Sequence, residues 1–165
     1  MSSETSRFRP IAVTPDLFVG PAPTSVEDVE RLAALGISRL LSLQTDRDLA
    51  ARGLHWNTLW GLLMARGIRA ERQPIIDFDN KDFARHLGAA VDMLDELVQP
   101  DVATPRVYVH CTAGINRSPS VILAWLAREN GMDAAKSLLA KAHPDAVPYD
   151  DLVAQWHKKW LKTRR

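Results

Sequence analysis

Hydrophobic residues along the chain follow two patterns, short continuous runs and longer segments with helical spacing. The short runs, rich in leucine and β-branched residues, predict strands at 17–20, at 39–43, within 68–76 and at 106–109. Periodicity, capping residues and glycine stops predict helices at 24–35, 57–66, 83–98, around 121–126 and closing at 130–131, at 133–143 and at 149–162. Strands that alternate with helices predict an α/β fold, a single domain whose central, mostly parallel twisted sheet of about four to five strands is flanked by helices.

Polar segments set the boundaries between these elements. Thr24 and Glu27 have the spacing of a capping box and predict the start of the first helix. The polar stretch 44–53 is expected to be an irregular connection, in which Asp46 and Asp48 are solvated turn residues.

Composition is that of an ordinary globular domain. The 165 residues are 46% hydrophobic and 25% charged, which is enough apolar material for one substantial core. We expect a flexible N-terminal lead-in at 1–9 and a single folded domain at 10–165. The net charge of +1 gives no reason to expect binding to nucleic acid or to a membrane surface.

Cysteine and histidine usage bear on compartment and cofactors. One cysteine excludes an internal disulfide and favours a reducing compartment. The N-terminal residues are polar, unlike a signal peptide, and no apolar stretch approaches the ~20 residues of a membrane span. The five histidines lack the paired spacing of a zinc site, so we expect no metal. A cytoplasmic monomer is the resulting expectation.

The candidate chemistry lies in the ten residues His-Cys-Thr-Ala-Gly-Ile-Asn-Arg-Ser-Pro at 110–119, between a predicted strand and a predicted helix. A strand, a tight loop and a helix N-terminus form an anion site, because backbone N–H groups without helical partners point the same way. Cys111 and Arg117 stand six positions apart in this loop. The arrangement predicts a phosphate-binding loop that holds a nucleophile.

Each residue type in the loop suits phosphoryl transfer. Arg117 offers a planar fork that can bind two phosphate oxygens. The same positive field favours the thiolate form of Cys111, which is the nucleophilic form. Gly114 permits a positive φ, and Ser118 can donate a hydrogen bond to the departing sulfur. Pro119 suits the first turn of a helix.

These ten residues resemble the signature loop of the cysteine-dependent phosphatases, specifically of the dual-specificity branch, and the resemblance extends over about residues 15–156. It implies the fold of that branch, a phosphocysteine intermediate on Cys111 and no cofactor. It also implies that His110 braces the loop through hydrogen bonds rather than acting as a base. The other members of the phosphate-binding loop are Thr112, Ala113, Gly114, Ile115 and Asn116.

Hydrolysis of a phosphate ester also needs a general acid that later activates water, and one carboxylate can serve both steps. Asp77 and Asp79 stand in a predicted loop about thirty residues before Cys111, the distance found in the dual-specificity branch. We assign the acid to Asp77, because Asp79 is suitably placed to cap the helix that follows. The alternative, Asp79, remains open on sequence grounds.

Two resemblances bear on the substrate. The segments 43–48, 67–69 and 77–79 are similar to plant-type glucan phosphatases, in which the first aspartate of Asp-Phe-Asp is the acid. That resemblance implies that Phe78 contacts substrate. Other aromatics of that family are replaced here by Pro10, Ala12 and Arg52, and Asn116 stands where the glucan enzymes have glycine. Trp56 and Trp60, one helical turn apart, either form a substitute stacking platform or belong to a core or half-buried face, and helical spacing favours the second alternative.

We therefore expect a metal-independent dual-specificity protein phosphatase that acts on phosphotyrosine and phosphoserine or phosphothreonine, with a phosphorylated protein as partner. The alternative is a glucan phosphatase that acts on starch-like or glycogen-like polymers. Asn116 before Arg117 is similar to RNA 5′-triphosphatases, but those continue with Thr-Gly rather than Ser-Pro. A phosphate-binding pseudophosphatase is disfavoured because cysteine, arginine, serine and an acid are all present.

Overall fold

The computed structural model describes residues 8–164. Its strands are β1 (Ile11–Thr14), β2 (Leu17–Gly20), β3 (Arg39–Ser42), β4 (Arg69–Arg72) and β5 (Val107–His110). Its helices are α1 (Val26–Ala34), α2 (Asp46–Ala50), α3 (Trp56–Ala65), α4 (Asn80–Leu97), α5 (Arg117–Asn130), α6 (Met132–Ala142) and α7 (Asp150–Thr163). The predicted α/β fold with a helix-flanked sheet is confirmed.

The sheet has five strands in the order β1-β2-β5-β3-β4. β5 lies at its centre and pairs in parallel with β2 and with β3, which in turn pairs in parallel with β4. β1 is antiparallel to β2 and forms one edge. In register, His110 lies between Gly20 and Ser42. The carboxyl ends of three parallel strands therefore meet where the candidate loop begins.

Helices cover both faces of the sheet, and alternate residues of the buried strands point to opposite faces. Val107 and Val109 pack in a cluster with residues of α4, α5, α6 and α7. Tyr108 faces the other way, into a cluster with residues of α1 and α3. The central strand is fully buried as a result, and the loop that follows it starts from a rigid base.

Three local features differ from the sequence prediction. β1 was not predicted, and neither was α2, a helix of five residues in the segment expected to be irregular. α1 is capped one residue later than predicted, because the Ser25 hydroxyl accepts a hydrogen bond from the Asp28 amide at 3.2 Å. Thr24 instead donates from its amide and hydroxyl to the Asp28 carboxylate. The capping pattern is therefore Ser25 with Asp28, and not Thr24 with Glu27.

Residues 1–7 of the predicted lead-in lie outside the described residues. Phe8, which was assigned to it, is buried and packs edge-on against Tyr108, with ring centroids 6.1 Å apart. The packed part of the chain therefore includes Phe8, two residues before the predicted boundary. No helix within residues 8–164 combines the length and apolar character needed to cross a membrane.

Candidate active site

The loop of residues 111–116 joins the end of β5 to the first turn of α5. Gly114 has φ = 75°, as predicted, and a Cβ at this position would overlap the backbone of Gly20. Glycine is therefore required here for two reasons, the left-handed backbone and the close approach of β2. This contact sets the loop against the end of the neighbouring strand.

Five of the six carbonyl groups of the loop accept hydrogen bonds from the surrounding scaffold. A trans peptide is planar, with its C=O opposite the N–H of the next residue, so outward carbonyls turn the following amides into the loop. Within residues 8–164, the amides of 112–116 have no hydrogen-bond acceptor. The loop is thus a ring of amide donors that an anion could complete. The outward partners are His110 Nδ1 for Cys111, Ala22 N for Thr112, His143 Nε2 for Gly114, Val147 N for Ile115 and Ser120 Oγ for Asn116.

Cys111 lies at the base of this ring and is buried. Its Sγ is 3.3 Å from Ser118 Oγ, within hydrogen-bond distance for sulfur. His110 is fully buried and stacks on Tyr108 at a ring distance of 5.9 Å, and its Nδ1 is 2.9 Å from the Cys111 carbonyl oxygen. Burial lowers the pKa of His110 to about 4, against a hydrogen bond to Cys111 that raises it, and the charge of Arg117 adds to the lowering. The ring is therefore neutral at pH 7.

Arg117 is 1% exposed, and its guanidinium lies among acceptors from several elements. Nη1 donates to Asp48 Oδ2 at 2.7 Å and to the Ile75 carbonyl at 2.8 Å. Nη2 has two longer contacts, 3.2 Å to Thr112 Oγ1 and 3.3 Å to Asp77 Oδ2. The short bonds hold one edge of the fork, while the weaker ones leave Nη2 available to a competing anion.

The pairing of Asp48 with Arg117 overturns the prediction that Asp48 is a solvated turn residue. Asp48 closes a capping box with Thr45 at the start of α2, and this box directs its carboxylate to Arg117. Burial alone would raise the pKa of Asp48, but hydrogen bonds from Arg117 and Thr45 outweigh it and hold this pKa below its ordinary 3.8. Asp46 is 88% exposed and bonds Arg72, as a surface residue would.

Gln44 is a second residue that the sequence analysis missed. Its side chain is buried, and Nε2 donates to Thr112 Oγ1 at 3.1 Å, so the loop is also braced from the end of β3. The sequence carried one usable signal for this region. The spacing of Thr45 and Asp48 is that of a capping box, which predicts a helix start directly after a strand.

The two candidate acids occupy different positions. Asp77 has a 30% exposed side chain and contacts Arg117 Nη2. Asp79 is the N-cap of α4, and its Oδ1 accepts from the Asp82 amide at 2.9 Å. Between them Phe78 has φ = 58° and is 81% exposed. The capping expected of Asp79 is confirmed, and Asp77 is the aspartate that lies at the loop.

The two tryptophans of α3 differ: Trp56 packs against the core, as their spacing favoured, and Trp60 does not. Trp60 is 44% exposed. Trp56 is half-buried, and the guanidinium of Arg72 lies over its ring at 5.2 Å from the centroid.

An open cleft of about 720 Å³ borders the loop at Thr112 and Ala113. No group of three or more His, Cys, Asp or Glu side chains within residues 8–164 is arranged to hold a metal ion.

Comparison with known proteins agrees with this geometry. Residues 17–157 match the family described as dual specificity phosphatase, catalytic domain. A relative named phosphoglucan phosphatase DSP4, amyloplastic, from Castanea sativa is 34% identical over 69% of this chain and 30% of its own length. Human dual specificity protein phosphatase 1 is 31% identical over 73% of this chain and 28% of its own length. The chain thus spans about a third or less of these relatives.

Solved structures show the same fold. The structure of PTPMT1 in complex with PI(5)P superposes with a TM-score of 0.73 at 17% identity, covering 93% of this chain and 97% of that one. The human structure named DUSP28 gives a TM-score of 0.68 at 22% identity, covering 92% and 95%. Identities this low establish the architecture, while the match over residues 17–157 establishes the family. The chain belongs to the dual specificity phosphatase catalytic-domain family.

Proposed function

We propose that the chain is a cysteine-dependent phosphomonoester hydrolase of the dual-specificity protein phosphatase type. One observation carries this proposal. The Cys111 sulfur lies at the base of a ring of inward-facing amides, next to a guanidinium that is almost completely buried. Such a site stabilises a phosphate and the extra charge of its transition state, and it aims sulfur at the phosphorus.

The first proposed step transfers the phosphoryl group to the enzyme. Phosphate oxygens bind the loop amides and Arg117 Nη2, which displaces Asp77 from that nitrogen. The Cys111 thiolate attacks phosphorus as the ester P–O bond breaks, and protonated Asp77 gives its proton to the leaving oxygen. Ser118 donates a hydrogen bond to the sulfur. The products are the free alcohol and a phosphocysteine.

The second proposed step restores the enzyme. Water attacks phosphorus as the S–P bond breaks, and its proton returns to Asp77. Cys111 leaves as a thiolate, which the Ser118 hydroxyl stabilises from 3.3 Å. Inorganic phosphate is released, so protons and electrons balance over the cycle. Neither step calls for a metal or another cofactor.

For the substrate we propose phosphotyrosine and phosphoserine or phosphothreonine in proteins. We also propose that the enzyme is a monomer. The open cleft beside Thr112 and Ala113 leaves room for a polypeptide on one side of the loop. The similarity to human dual specificity protein phosphatase 1 supports the same substrate class. Cytoplasmic location stays a prediction.

A phosphoglucan is the second candidate substrate, and one observation favours it. Phe78 stands next to Asp77 with 81% of its surface exposed, although a large aromatic gains by burial. An exposed ring at the edge of a site is suited to stacking on a sugar. The relative from Castanea sativa, named a phosphoglucan phosphatase, supports this candidate at 34% identity.

The chemistry is tested with an aryl phosphate. Cys111→Ser replaces sulfur by oxygen with little change of shape, so the melting temperature should stay the same while turnover disappears. Vanadate should inhibit the wild type, and a chelator should leave its activity unchanged. Rapid acid quenching should trap labelled phosphate on the wild type and none on the variant. A chelator-sensitive activity that survives Cys111→Ser would show that the proposal is wrong.

The substrate is tested with phosphate release from a phosphotyrosine peptide, a phosphothreonine peptide, phosphorylated amylopectin and an RNA 5′-triphosphate. We expect the two peptides to be hydrolysed fastest. If phosphate release is much faster from amylopectin than from the peptides, and Phe78→Ala removes that preference, the chain is a glucan phosphatase rather than a protein phosphatase. Trp60→Ala is the matched control, because Trp60 is another exposed aromatic, on α3.

A further inference from the structure

One of the two tyrosines of the chain has a buried hydroxyl group that makes no hydrogen bond within the described residues. The Tyr108 hydroxyl donates to the Pro21 carbonyl. The Tyr149 hydroxyl oxygen is buried and has no hydrogen-bond partner within residues 8–164. Burying a hydroxyl without a partner costs about 1–3 kcal/mol, so native structures seldom keep one without a use.

The backbone around Tyr149 is tied to the phosphate loop. Its amide donates to Ser120 Oγ at 2.8 Å, and that hydroxyl donates to the Asn116 carbonyl at 2.6 Å. Two residues earlier, the Val147 amide donates to the Ile115 carbonyl. Tyr149 therefore has a fixed position relative to the loop that holds Cys111.

The Tyr149 ring is tied equally to the segment that carries the candidate acid. It packs edge-on against Phe83, with centroids 4.9 Å apart and an interplanar angle of 62°. Phe83 belongs to the first turn of α4, where its amide donates to the Asp79 carbonyl at 2.9 Å. The ring thus lies between the phosphate loop and the 77–79 loop.

Charged residues of the candidate active site act on the Tyr149 hydroxyl. Burial raises the pKa of Tyr149, and the negative charge of Asp77 raises it further. The Phe78 amide, which lies near the hydroxyl but outside hydrogen-bond geometry, and the charge of Arg117 both lower the pKa of Tyr149 without cancelling that rise. At pH 7 the group is therefore a protonated donor whose electrostatic surroundings include Asp77.

We propose that Tyr149 is a positioning residue for Asp77. Once phosphate displaces Asp77 from Arg117, the Tyr149 hydroxyl donates a hydrogen bond to one carboxyl oxygen of Asp77, and the transferred proton is carried by the other oxygen. The other oxygen then faces the leaving group in the first step and water in the second. The Tyr149 proton is not transferred in either step. This inference rests on the proposed function, in which Asp77 is the acid.

The test compares kcat/KM for two aryl phosphates, because kcat/KM covers only the step that forms phosphocysteine. Phenyl phosphate has a poor leaving group that needs protonation, and 2,4-dinitrophenyl phosphate has a good one that does not. Tyr149→Phe should lower kcat/KM about tenfold for phenyl phosphate and less than about twofold for dinitrophenyl phosphate, as expected for loss of one charge-assisted hydrogen bond. In an Asp77→Asn background, Tyr149→Phe should have no further effect.

The melting temperature distinguishes a role of Tyr149 in positioning Asp77 from a role in holding the fold together. Tyr149→Phe removes an unpaired hydroxyl, so the melting temperature should stay equal or rise. Tyr108→Phe, the matched control, removes a paired hydroxyl and should lower it. Equal losses for both aryl phosphates, or effects of Tyr149→Phe and Asp77→Asn that multiply, would overturn the proposal. The proposed function would still stand if Cys111→Ser were inactive, so the two failures are distinguishable.

Discussion

Asp48→Asn tests how the guanidinium of the phosphate loop is held. The substitution keeps the shape of the side chain and its capacity to cap α2, but it removes the charge 2.7 Å from Arg117. Removing one partner of a buried ion pair costs about 3–5 kcal/mol. Asp48 is 21% exposed, and Arg117 keeps the Ile75 carbonyl, so we expect a smaller loss, about 2 kcal/mol.

The same change should reduce catalysis. Without Asp48 the fork of Arg117 loses its shortest bond, and a shift of about 1 Å in such a group costs on the order of a hundredfold. We expect kcat/KM for an aryl phosphate to fall about 10–100-fold, weaker vanadate binding, and a melting temperature about 4–8 °C lower.

The pH dependence of this effect has a definite sign. Because the pKa of Asp48 is depressed in the folded protein, its stabilisation is complete above the ordinary value of 3.8 and is lost as pH falls through the folded pKa. The difference in unfolding free energy between wild type and Asp48→Asn should therefore be constant near neutral pH and narrow in acid.

Asp46→Asn is the matched control for Asp48→Asn, two residues earlier in the same helix. Asp46 is 88% exposed and pairs with Arg72 at the surface, so its loss should change stability by no more than about 0.5 kcal/mol and leave kcat/KM unaltered. Equal effects of the two variants on kcat/KM would refute the inference that Asp48 holds the guanidinium.

Three further predictions follow from the geometry. Asp77→Asn should lower kcat about a hundredfold in steady-state assays, whereas Asp79→Asn should have little effect, because asparagine caps a helix as well as aspartate. Gly114→Ala should unfold the loop and abolish vanadate binding, because its Cβ would overlap backbone, while Gly53→Ala has open space and should cost only the left-handed backbone, about 1–2 kcal/mol by urea denaturation. The unfolding free energy should fall by about 3 kcal/mol as pH drops from 6.5 to 4, because His110 has a pKa of about 4 when folded and 6.5 when unfolded.

Each of these predictions has an outcome that contradicts it. A larger kcat loss in Asp79→Asn than in Asp77→Asn would move the acid to Asp79. Equal damage from Gly53→Ala and Gly114→Ala would mean that backbone conformation, and not the close approach of β2, governs the loop. For the pH effect, His110→Asn should make the unfolding free energy depend less steeply on pH between 6.5 and 4. An unchanged dependence in this variant would mean that other groups cause the loss of stability in acid.

The phosphate loop could be predicted because its determinants are local. Strand, loop and helix start follow one another within residues 106–126, and the positive φ of Gly114 depends on its own lack of a side chain. The capping role of Asp79 is local as well, since its partner amide lies three residues away. Such features depend on neighbours in sequence, where composition and spacing carry the information.

Contacts between distant segments could not be predicted in this way. Asp48 and Arg117 are 69 positions apart, and the helix that presents Asp48 has only five residues, too few for a periodic signal. Hydrophobicity also misled at Trp60, because an aromatic at helical spacing is expected to pack inward, yet Trp60 is 44% exposed.

By itself, the sequence determined the α/β class, the order of most elements and the loop that carries Cys111 and Arg117, because each depends on residues close along the chain. Only the tertiary structure decided which carboxylates contact the guanidinium and that Asp77 rather than Asp79 lies at the loop. It also decided that the Tyr149 hydroxyl is buried with no hydrogen-bond partner among residues 8–164. The physical reason is that these outcomes depend on distances between segments far apart in sequence, which are set by how helices and strands pack.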